Sequence, residues 1–531
     1  MANIVYNILE EYNIMDKLQC ITSDNASNNY ALTRELSTRL SQDAGIEWNN
    51  ETHHLPCLAH IINLLVKKLL TAIKKKTPVR VPHTTNDDAE PESEDNIDFD
   101  LEDLPEADGT AFRVLLATIG RLATSLRRST TRWKIFQAAC TSYDIEPMTI
   151  PFAMDVRFSS HYRQLFVAIY LRRPLRRYVD DANFKPQEKH LYELSDEQWD
   201  LAEFLLLFLM PFQRCTERFE CNESNTEIDY VFFAYDTLYN HLDDVEEKLR
   251  SGTGIGSLSC APFMLSTMGK MKDTLSKYYS RTEIQTVYVD AMILNPRTKL
   301  VIAEEESWSD INVDEYRMAS RRRFVEEYDN RSENARSESS SQSTMQQAVS
   351  KRSRNSLAND SAYREALLNR SAKRRRNDFD RYIEIPNDPE IIDSLGWWRE
   401  NQINYPHLAR MARDTLSVPA SGCTVERVFS ISGRLSVWQR NRLNADTISH
   451  AMMYKYAMAK TSNPVFMEDP TKEGDLDMYP VPEKEGTIPE EWVQNWWCAK
   501  LDKVPVGKVS LEKMFPPPEL LDLSDEEDIY G

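Results

Sequence analysis

The chain has 531 residues, which is too long for one ordinary hydrophobic core, so its length predicts two or more structural units. Its formal net charge of −20 argues against nucleic-acid attraction spread over the whole surface, although twelve of its acidic residues lie in one segment, 87–108, that has no Lys or Arg. Eight cysteines without paired spacing, and apolar runs too short for a bilayer, favour a reducing intracellular compartment.

Residues 1–76 predict a small α/β unit. Apolar side chains recur at helical spacing from Ile4, and residues 18–22 form a short strand-like run. Further helices are expected over residues 28–40 and 61–76. Alternation of helix and strand is typical of an α/β fold.

The remaining chain divides by composition into five segments. The acidic segment 77–110 predicts a solvated linker, whereas 111–328 has the helical periodicity of an all-α domain. Residues 329–385 are rich in Ser and Arg and predict a disordered basic linker. Residues 386–460 are predicted to be helical, and 461–531 form a proline-rich acidic tail.

Asp24 is the first candidate for chemistry. It follows the predicted strand and precedes a helix whose start is rich in Ser and Asn. An aspartate in this position either caps the helix or, because a strand holds its carboxylate rigidly, binds a metal ion. The local sequence leaves both interpretations open.

Glu426 is the second candidate. Val425, Val428 and Phe429 follow the i, i+3, i+4 pattern of a buried helical face, and Glu426 lies at the edge of that face. A carboxylate there is either a solvated surface group or a group held in place for chemistry.

Several short motifs give the chain a specific resemblance to a known family. They read Tyr405-Pro406-His407-Leu408, Pro419-Ala420-Ser421, Glu426-Arg427-Val428-Phe429-Ser430 and, near the start, Ser23-Asp24-Asn25-Ala26-Ser27-Asn28-Asn29. They resemble motifs of the hAT superfamily of DNA transposases. The resemblance implies an α/β fold: an incomplete RNase H-like core is interrupted by a large all-α insertion, and the last core helices belong to a C-terminal helical dimerisation region over 386–460.

The same resemblance implies metal-dependent chemistry. Asp24 and Glu426 match two members of the family's acidic triad, which holds Mg²⁺ or Mn²⁺ beside the scissile phosphate. The family's first aspartate lies on an earlier strand, and the 23 residues before Asp24 are too few for the strands that would carry it. We therefore expect a remnant triad that does not support strand cleavage.

Cys57 and His60 match the family's cysteine-x-x-histidine motif. Structural zinc is normally held by four ligands with paired spacing, and no second pair of that kind follows. Core packing or support of the acidic site is therefore predicted for Cys57 and His60, and zinc is not expected.

Two groups of residues are candidates for DNA contacts. Arg157 and Phe158 resemble a family motif in which arginine is followed by tryptophan, although Phe158 suits a buried aromatic position better than base stacking. A row of arginines at i, i+4 spacing would give the predicted all-α domain a fixed positive patch. These arginines are Arg172, Arg173, Arg176 and Arg177.

The predicted dimerisation residues are aromatic or apolar. Trp397 and Trp398 are anchors of the kind that protein interfaces favour. Phe429 belongs to the buried face beside Glu426, and Ile448 and Met452 belong to an apolar stripe on a later helix.

These features together predict a transposase-derived protein that forms a homodimer or higher oligomer, binds DNA in the nucleus, contacts no membrane and is not competent for strand cleavage. One alternative is an active DNA transposase whose first catalytic aspartate is missing from this sequence. A second alternative is a regulatory partner that forms mixed dimers with a full-length transposase.

Overall fold

The computed structural model describes most of the chain in ten stretches. They are residues 1–74, 109–154, 158–182, 184–221, 227–252, 260–282, 284–300, 313–329, 377–388 and 393–423, with short pieces at 390–391, 425, 447–448, 450–454, 488–489 and 492–493. The predicted acidic linker, most of the predicted basic linker and most of the tail lie outside these residues.

The N-terminal unit consists of four helices and two strands within residues 1–74. They are α1 (Ala2–Glu11), β1 (Ile21–Ser23), α2 (Ser27–Ala44), α3 (Asn50–His53), β2 (His54–Pro56) and α4 (Leu58–Lys74). The two strands pair in parallel, with Ile21 opposite His54 and Ser23 opposite Pro56. The predicted alternation of helix and strand is therefore present, but only on a small scale, and an RNase H-like core remains a prediction.

The helices of this unit begin and end close to the predicted positions. Helix α2 continues beyond residue 40 to Ala44, where Gly45 takes a left-handed conformation (φ 67°) and donates its backbone N–H to the carbonyl of Leu40. Glycine adopts this conformation without the steric cost of a Cβ atom, so it ends the helix readily. A small core of five buried side chains holds α1 against α2: Tyr6, Leu9, Leu36, Leu40 and Trp48.

The described residues in the middle of the chain are mostly helical. The helices are α5 (Thr110–Arg128), α6 (Thr130–Thr141), α7 (Ser159–Tyr170), α8 (Arg172–Asp181), α9 (Pro186–Lys189), α10 (Asp196–Cys221), α11 (Val231–Arg250), α12 (Ala261–Thr282), α13 (Thr286–Leu294) and α14 (Val313–Phe324). Helix α10 is central, because it packs against α4, α5, α7 and α11. Its apolar residues Leu205, Phe208 and Phe212 are fully buried.

The N-terminal unit and the helical domain share one hydrophobic core. Helix α4 packs against α12 and α10, and its apolar face, which includes Leu65 and Leu69, belongs to the same buried cluster as the helices of the middle segment. The helices on either side of the acidic segment 77–110 therefore pack into the same core, although that segment separates them in the sequence.

Three further helices belong to the C-terminal region: α15 (Asp378–Ile383), α16 (Ser394–Asn401) and α17 (Leu408–Leu416). Helix α15 lies inside the predicted linker 329–385. The prediction of disorder is therefore wrong for the last part of that segment, because Phe379 and Tyr382 are buried in the main core. The physical reason is a local start signal: the side chain of Asn377 accepts a hydrogen bond from the backbone N–H of Asp380, at 2.9 Å. Further along, Trp492 in the predicted tail lies edge-on against Tyr170, with ring centroids 5.0 Å apart.

Candidate functional site at the strand ends

Asp24 lies at the carboxyl end of β1, in the turn that leads into α2. Its carboxylate is exposed, and its Oδ1 atom accepts two hydrogen bonds: one from the backbone N–H of Ala26 at 3.1 Å and one from Nδ2 of Asn29 at 2.6 Å. Both donors lie within five residues of Asp24, so Asp24 orders the turn that leads into α2, whose N-cap residue is Ala26. Its role as a metal ligand remains a prediction.

His54, on β2, is a residue of this site that the sequence motifs do not single out. Its ring lies between two hydroxyl groups, with Nε2 sharing a hydrogen bond with Oγ of Ser23 at 2.8 Å and Nδ1 sharing one with Oγ1 of Thr33 at 3.3 Å. Burial, together with the positive charge of Arg281, lowers the pKa of His54. Both effects favour the neutral imidazole, and its two hydrogen bonds tie β1, β2 and α2 together.

The loop formed by residues 419–423, which carries the proline-alanine-serine motif, returns to these strand ends from almost 400 residues further along the chain. Oγ1 of Thr22 donates to the carbonyl of Pro419 at 2.6 Å, and the backbone N–H of Leu58 donates to the carbonyl of Ala420 at 3.1 Å. The 419–423 loop therefore lies beside the strand end that leads to Asp24. Glu426 follows three positions after Cys423 and lies outside the described residues.

Cys57 packs against the 419–423 loop. Its thiol is buried beside Ala59 and Cys423, and its Sγ atom accepts a hydrogen bond from the backbone N–H of Gly422 at 3.2 Å. This geometry agrees with the packing and support interpretation of Cys57; His60 is half-buried in the first turn of α4. Within the stretches that the structure describes, no three His, Cys, Asp or Glu side chains are grouped so that they could hold a metal ion.

The predicted DNA contact by Phe158 is wrong, because the side chain is only 3% exposed and belongs to the main core. A ring enclosed by protein cannot stack on a base. Phe158 immediately precedes α7 and is the buried aromatic residue that its apolar character favours. Arg157 lies outside the described residues.

The arginine row on α8 is largely paired with acidic residues. Arg172 lies 3.0 Å from Asp196 and 3.6 Å from Glu203, and Arg176 also contacts Asp196. The guanidinium groups of Arg176 and Arg172 lower the pKa of Asp196, which keeps it ionised. Further along the helix, Arg177 pairs with Asp181 at 3.3 Å, and Arg173 is exposed. The positive patch that the sequence predicts on α8 is therefore weakened by neighbouring carboxylates.

Trp398 cannot serve as an exposed interface anchor, because its side chain is only 2% exposed within a single chain. Its indole Nε1 donates to the carbonyl of Leu294 at 2.7 Å, which joins α16 to the end of α13. Trp397 is half-buried and stacks on Tyr405, with ring centroids 6.4 Å apart. This correction follows from tertiary packing: α16 needs buried aromatic rings to dock on the main core.

The other predicted dimerisation residues divide between the described and undescribed parts of the chain. Met452 is buried and Ile448 is half-buried, whereas the neighbouring side chains of Met453 and Tyr454 are 60% and 67% exposed. Phe429 lies outside the described residues. Large exposed apolar side chains next to a buried one leave this part of the chain with apolar surface that a second chain could cover.

Comparison with known proteins agrees with the motifs. A family model of the hAT C-terminal dimerisation region matches residues 378–458. A putative transcriptional regulator, tpeD, of Talaromyces stipitatus is 26% identical over 86% of this chain and 47% of its own length. A putative AC transposase of Zea mays is 22% identical over 89% of this chain and 52% of its own length.

A shorter match covers 15% of this chain and 12% of the relative, at 29% identity, in a zinc finger BED domain-containing protein, DAYSLEEPER, of Arabidopsis thaliana. The chain is thus similar to hAT superfamily transposases, and it spans about half the length of the two longer relatives. None of the helices in the described stretches combines the length and apolar character needed to cross a bilayer.

Proposed function

We propose that this chain is a transposase-derived protein that self-associates through its C-terminal region, binds DNA and does not by itself cleave DNA strands. The observation that carries the proposal is the match of residues 378–458 to a dimerisation region, combined with the way this region is built onto the rest of the molecule. Its helices are fixed to the main core by buried contacts such as the one between Trp398 and Leu294. A surface carried by these helices is therefore presented on a rigid body.

Self-association is assigned to the end of this region. Met453 and Tyr454 are exposed beside the buried Met452, and an interface that covers them would remove large apolar side chains from water. The expected partner is a second copy of the chain, in a homodimer or a higher oligomer. Closed symmetric dimers are the commonest assemblies of this kind.

DNA binding and a nuclear location rest on the relatives. One relative is named as a transposase and another as a transcriptional regulator, and both similarities extend over most of this chain. A protein of net charge −20 needs local positive surfaces to approach DNA, so DNA contacts are expected on restricted parts of the molecule.

The absence of cleavage is proposed from the geometry of Asp24. Two-ion strand cleavage needs carboxylates that converge on the metal ions. The Oδ1 atom of Asp24 is already engaged by Ala26 and Asn29 within its own turn. Mg²⁺ or Mn²⁺ remains the expected ion if one binds, with Asp24 and Glu426 as its ligands.

A metal-dependent transposase is the second candidate. It is favoured by the contacts of Thr22 with Pro419 and of Leu58 with Ala420, which bring the segment leading to Glu426 to the strand end that carries Asp24. The discriminating experiment incubates the protein with terminal-repeat DNA of an hAT element and Mg²⁺ or Mn²⁺. We expect no cleavage.

Cleavage that is abolished by Glu426→Gln would overturn the first proposal in favour of the second. The matched control is Glu400→Gln, which makes the same change at an exposed position on α16. Activity that survives Glu426→Gln and Glu400→Gln equally would identify a contaminating nuclease, and the proposal that this chain does not cleave DNA would stand.

The experiment on self-association measures molar mass by light scattering during size-exclusion chromatography. The wild-type chain is expected to elute as a dimer or larger oligomer, and the double variant Met453→Glu/Tyr454→Glu as a monomer, because two charges would then have to be buried in the interface. The control is Met318→Glu on α14, where a side chain that is 62% exposed lies outside the matched region. A wild-type monomer at micromolar concentration, or a double variant of unchanged mass, would contradict the assignment.

A further inference from the structure

A row of basic side chains lies where α4 and α12 pack together. Lys270, Lys277 and Arg281 follow each other along α12 at spacings of two turns and one turn, so they share one side of this helix. Lys68 of α4 completes the group, which we call the α4–α12 ridge. At a rise of about 1.5 Å per residue, the ridge extends roughly 16 Å along α12.

The charges of the ridge are close enough to act on one another. Burial, followed by the positive charge of Lys270, lowers the pKa of Lys68, and Lys277 adds to this effect, while Asp273 opposes it. Lys68 therefore lies within electrostatic range of Lys270 and Lys277 of α12, as well as of Asp273.

The opposite side of α12 behaves differently. Lys272 forms ion pairs with Asp243 and Glu246, both on α11, so its charge is compensated within the protein. The arginines of α8 are compensated in the same way by Asp196 and Asp181. Lys270 and Lys277, in contrast, form no ion pair with another residue of the described stretches.

One end of the ridge reaches the candidate site. The Nη1 atom of Arg281 donates a hydrogen bond to the hydroxyl of Tyr30, and the guanidinium lies 5.3 Å from the centre of the Tyr30 ring. Tyr30 is in the first turn of α2, next to Asn29, which donates to Asp24. The positive charge of Arg281 also acts on the His54 ring, whose Nε2 atom bonds to Ser23. A polyanion bound along the ridge would consequently reach the carboxyl end of β1, where Asp24 lies.

We propose that the α4–α12 ridge binds the phosphate backbone of duplex DNA and directs it towards the turn that carries Asp24. The proposal rests on the DNA binding proposed above and names the surface responsible for it. One strand of B-DNA presents a phosphate about every 3.4 Å along the helix axis, so a ridge of roughly 16 Å faces about five phosphates. Lysine is suited to such contacts, because it acts as a compact point charge on a flexible stem.

The test measures fluorescence anisotropy of a labelled 20-base-pair duplex at a series of salt concentrations, with the full chain. Lys270→Ala/Lys277→Ala removes two charges and leaves Arg281, which contacts Tyr30, in place. Each lost phosphate contact lowers the slope of log K against log salt by about one, so the double variant is expected to lose about two and to bind roughly tenfold or more weakly near 0.1 M salt.

The matched control is Lys134→Ala/Lys185→Ala, which removes two exposed lysines from α6 and from the segment before α9. It should keep the wild-type slope. Circular dichroism melting of both double variants shows whether a change in binding comes from a loss of folding.

Three outcomes would contradict the assignment of DNA binding to the α4–α12 ridge, and they can be distinguished from one another. If Lys270→Ala/Lys277→Ala keeps the wild-type slope while Arg173→Ala/Arg177→Ala on α8 lowers it, DNA binding stands but its surface is α8. If a poly-glutamate peptide binds as tightly as the duplex and depends on the same lysines, the ridge recognises an acidic protein segment instead. If the wild-type chain binds no duplex at any salt concentration, the DNA-binding part of the proposed function fails together with the ridge, whereas the measurement of molar mass still decides self-association.

Discussion

Asp229 illustrates how a single residue couples the helical domain to the C-terminal region. Its side chain is buried, and its Oδ2 atom accepts hydrogen bonds from Nδ2 of Asn295 at 2.9 Å and from Oγ of Ser394, the first residue of α16, at 3.4 Å. Burial, together with the negative charge of Glu227, raises the pKa of Asp229 to about 7. Near neutral pH this carboxyl group is therefore only partly ionised.

The raised pKa gives a prediction about stability. The folded state binds more protons than the unfolded state between the ordinary pKa of aspartate, near 4, and about 7, so the contribution of Asp229 is fully present below pH 4 and is lost as the pH rises through 7. Asp229→Asn keeps an acceptor for Asn295 and removes the titration. We expect the free energy of unfolding of the variant, relative to wild type, to increase between pH 5 and pH 8 by on the order of 2–4 kcal/mol.

Urea unfolding at the two pH values measures this difference. Ser394→Ala is the companion variant, since it removes the hydroxyl that contacts Asp229 and Asn295 but leaves the carboxyl group to titrate. The stability of this variant relative to wild type should change much less with pH than that of Asp229→Asn. An Asp229→Asn variant whose stability follows wild type at both pH values would show that this group does not titrate in the range.

The 419–423 loop stabilises the pair of strands β1 and β2 through hydrogen bonds to the residues around them. It contacts β1 through Thr22 and the start of α4 through Leu58, and Oγ of Ser421 donates to the carbonyl of Phe219 near the end of α10 at 2.6 Å. A parallel pair of three-residue strands has few hydrogen bonds of its own. The hydrogen bonds of the loop therefore stabilise the strand pair, as additional strands would in a larger sheet.

Replacing Thr22 tests how much the contact with the 419–423 loop contributes to stability. Thr22→Val preserves shape and β-branching but removes the hydroxyl that donates to Pro419, so we expect a loss of about 1 kcal/mol in the free energy of unfolding and faster proteolysis near residue 420. Thr38→Val is the matched control, because the hydroxyl of Thr38 bonds only to the carbonyl of Arg34 within α2. Equal effects of the two substitutions would mean that the contact with Pro419 contributes nothing beyond an ordinary helix hydroxyl.

At the scale of the whole molecule, the described residues are organised around α10. It contacts α4 from the N-terminal unit as well as α5, α7 and α11 from the helical domain. The C-terminal helices join the same core through Tyr382 and Trp398. The described helices of the N-terminal, middle and C-terminal segments therefore share one core, so a substitution at the α4–α10 contact affects both the N-terminal unit and the helical domain.

The sequence by itself determined the features that depend on neighbours along the chain. Helical periodicity located α4 and the helical middle, Asp24 and Asn29 marked the turn before α2, and the motifs between Tyr405 and Ser421 identified the family. Local hydrogen bonds and the spacing of apolar side chains are fixed within a few residues, so they can be read from a single stretch. The start signal at Asn377 was equally local and was missed because the surrounding composition resembles a linker.

Only the tertiary structure decided which distant residues meet. It buried Trp398, which was expected at an interface, and it decided for Phe158 between a DNA contact and the buried position that its type favours. It paired the arginines of α8 with Asp196 and Asp181. It also brought Lys68 to Lys270 and the 419–423 loop to Thr22. Burial and electrostatic potential are sums over all neighbours in space, and residues separated by hundreds of positions become neighbours only when the chain has folded.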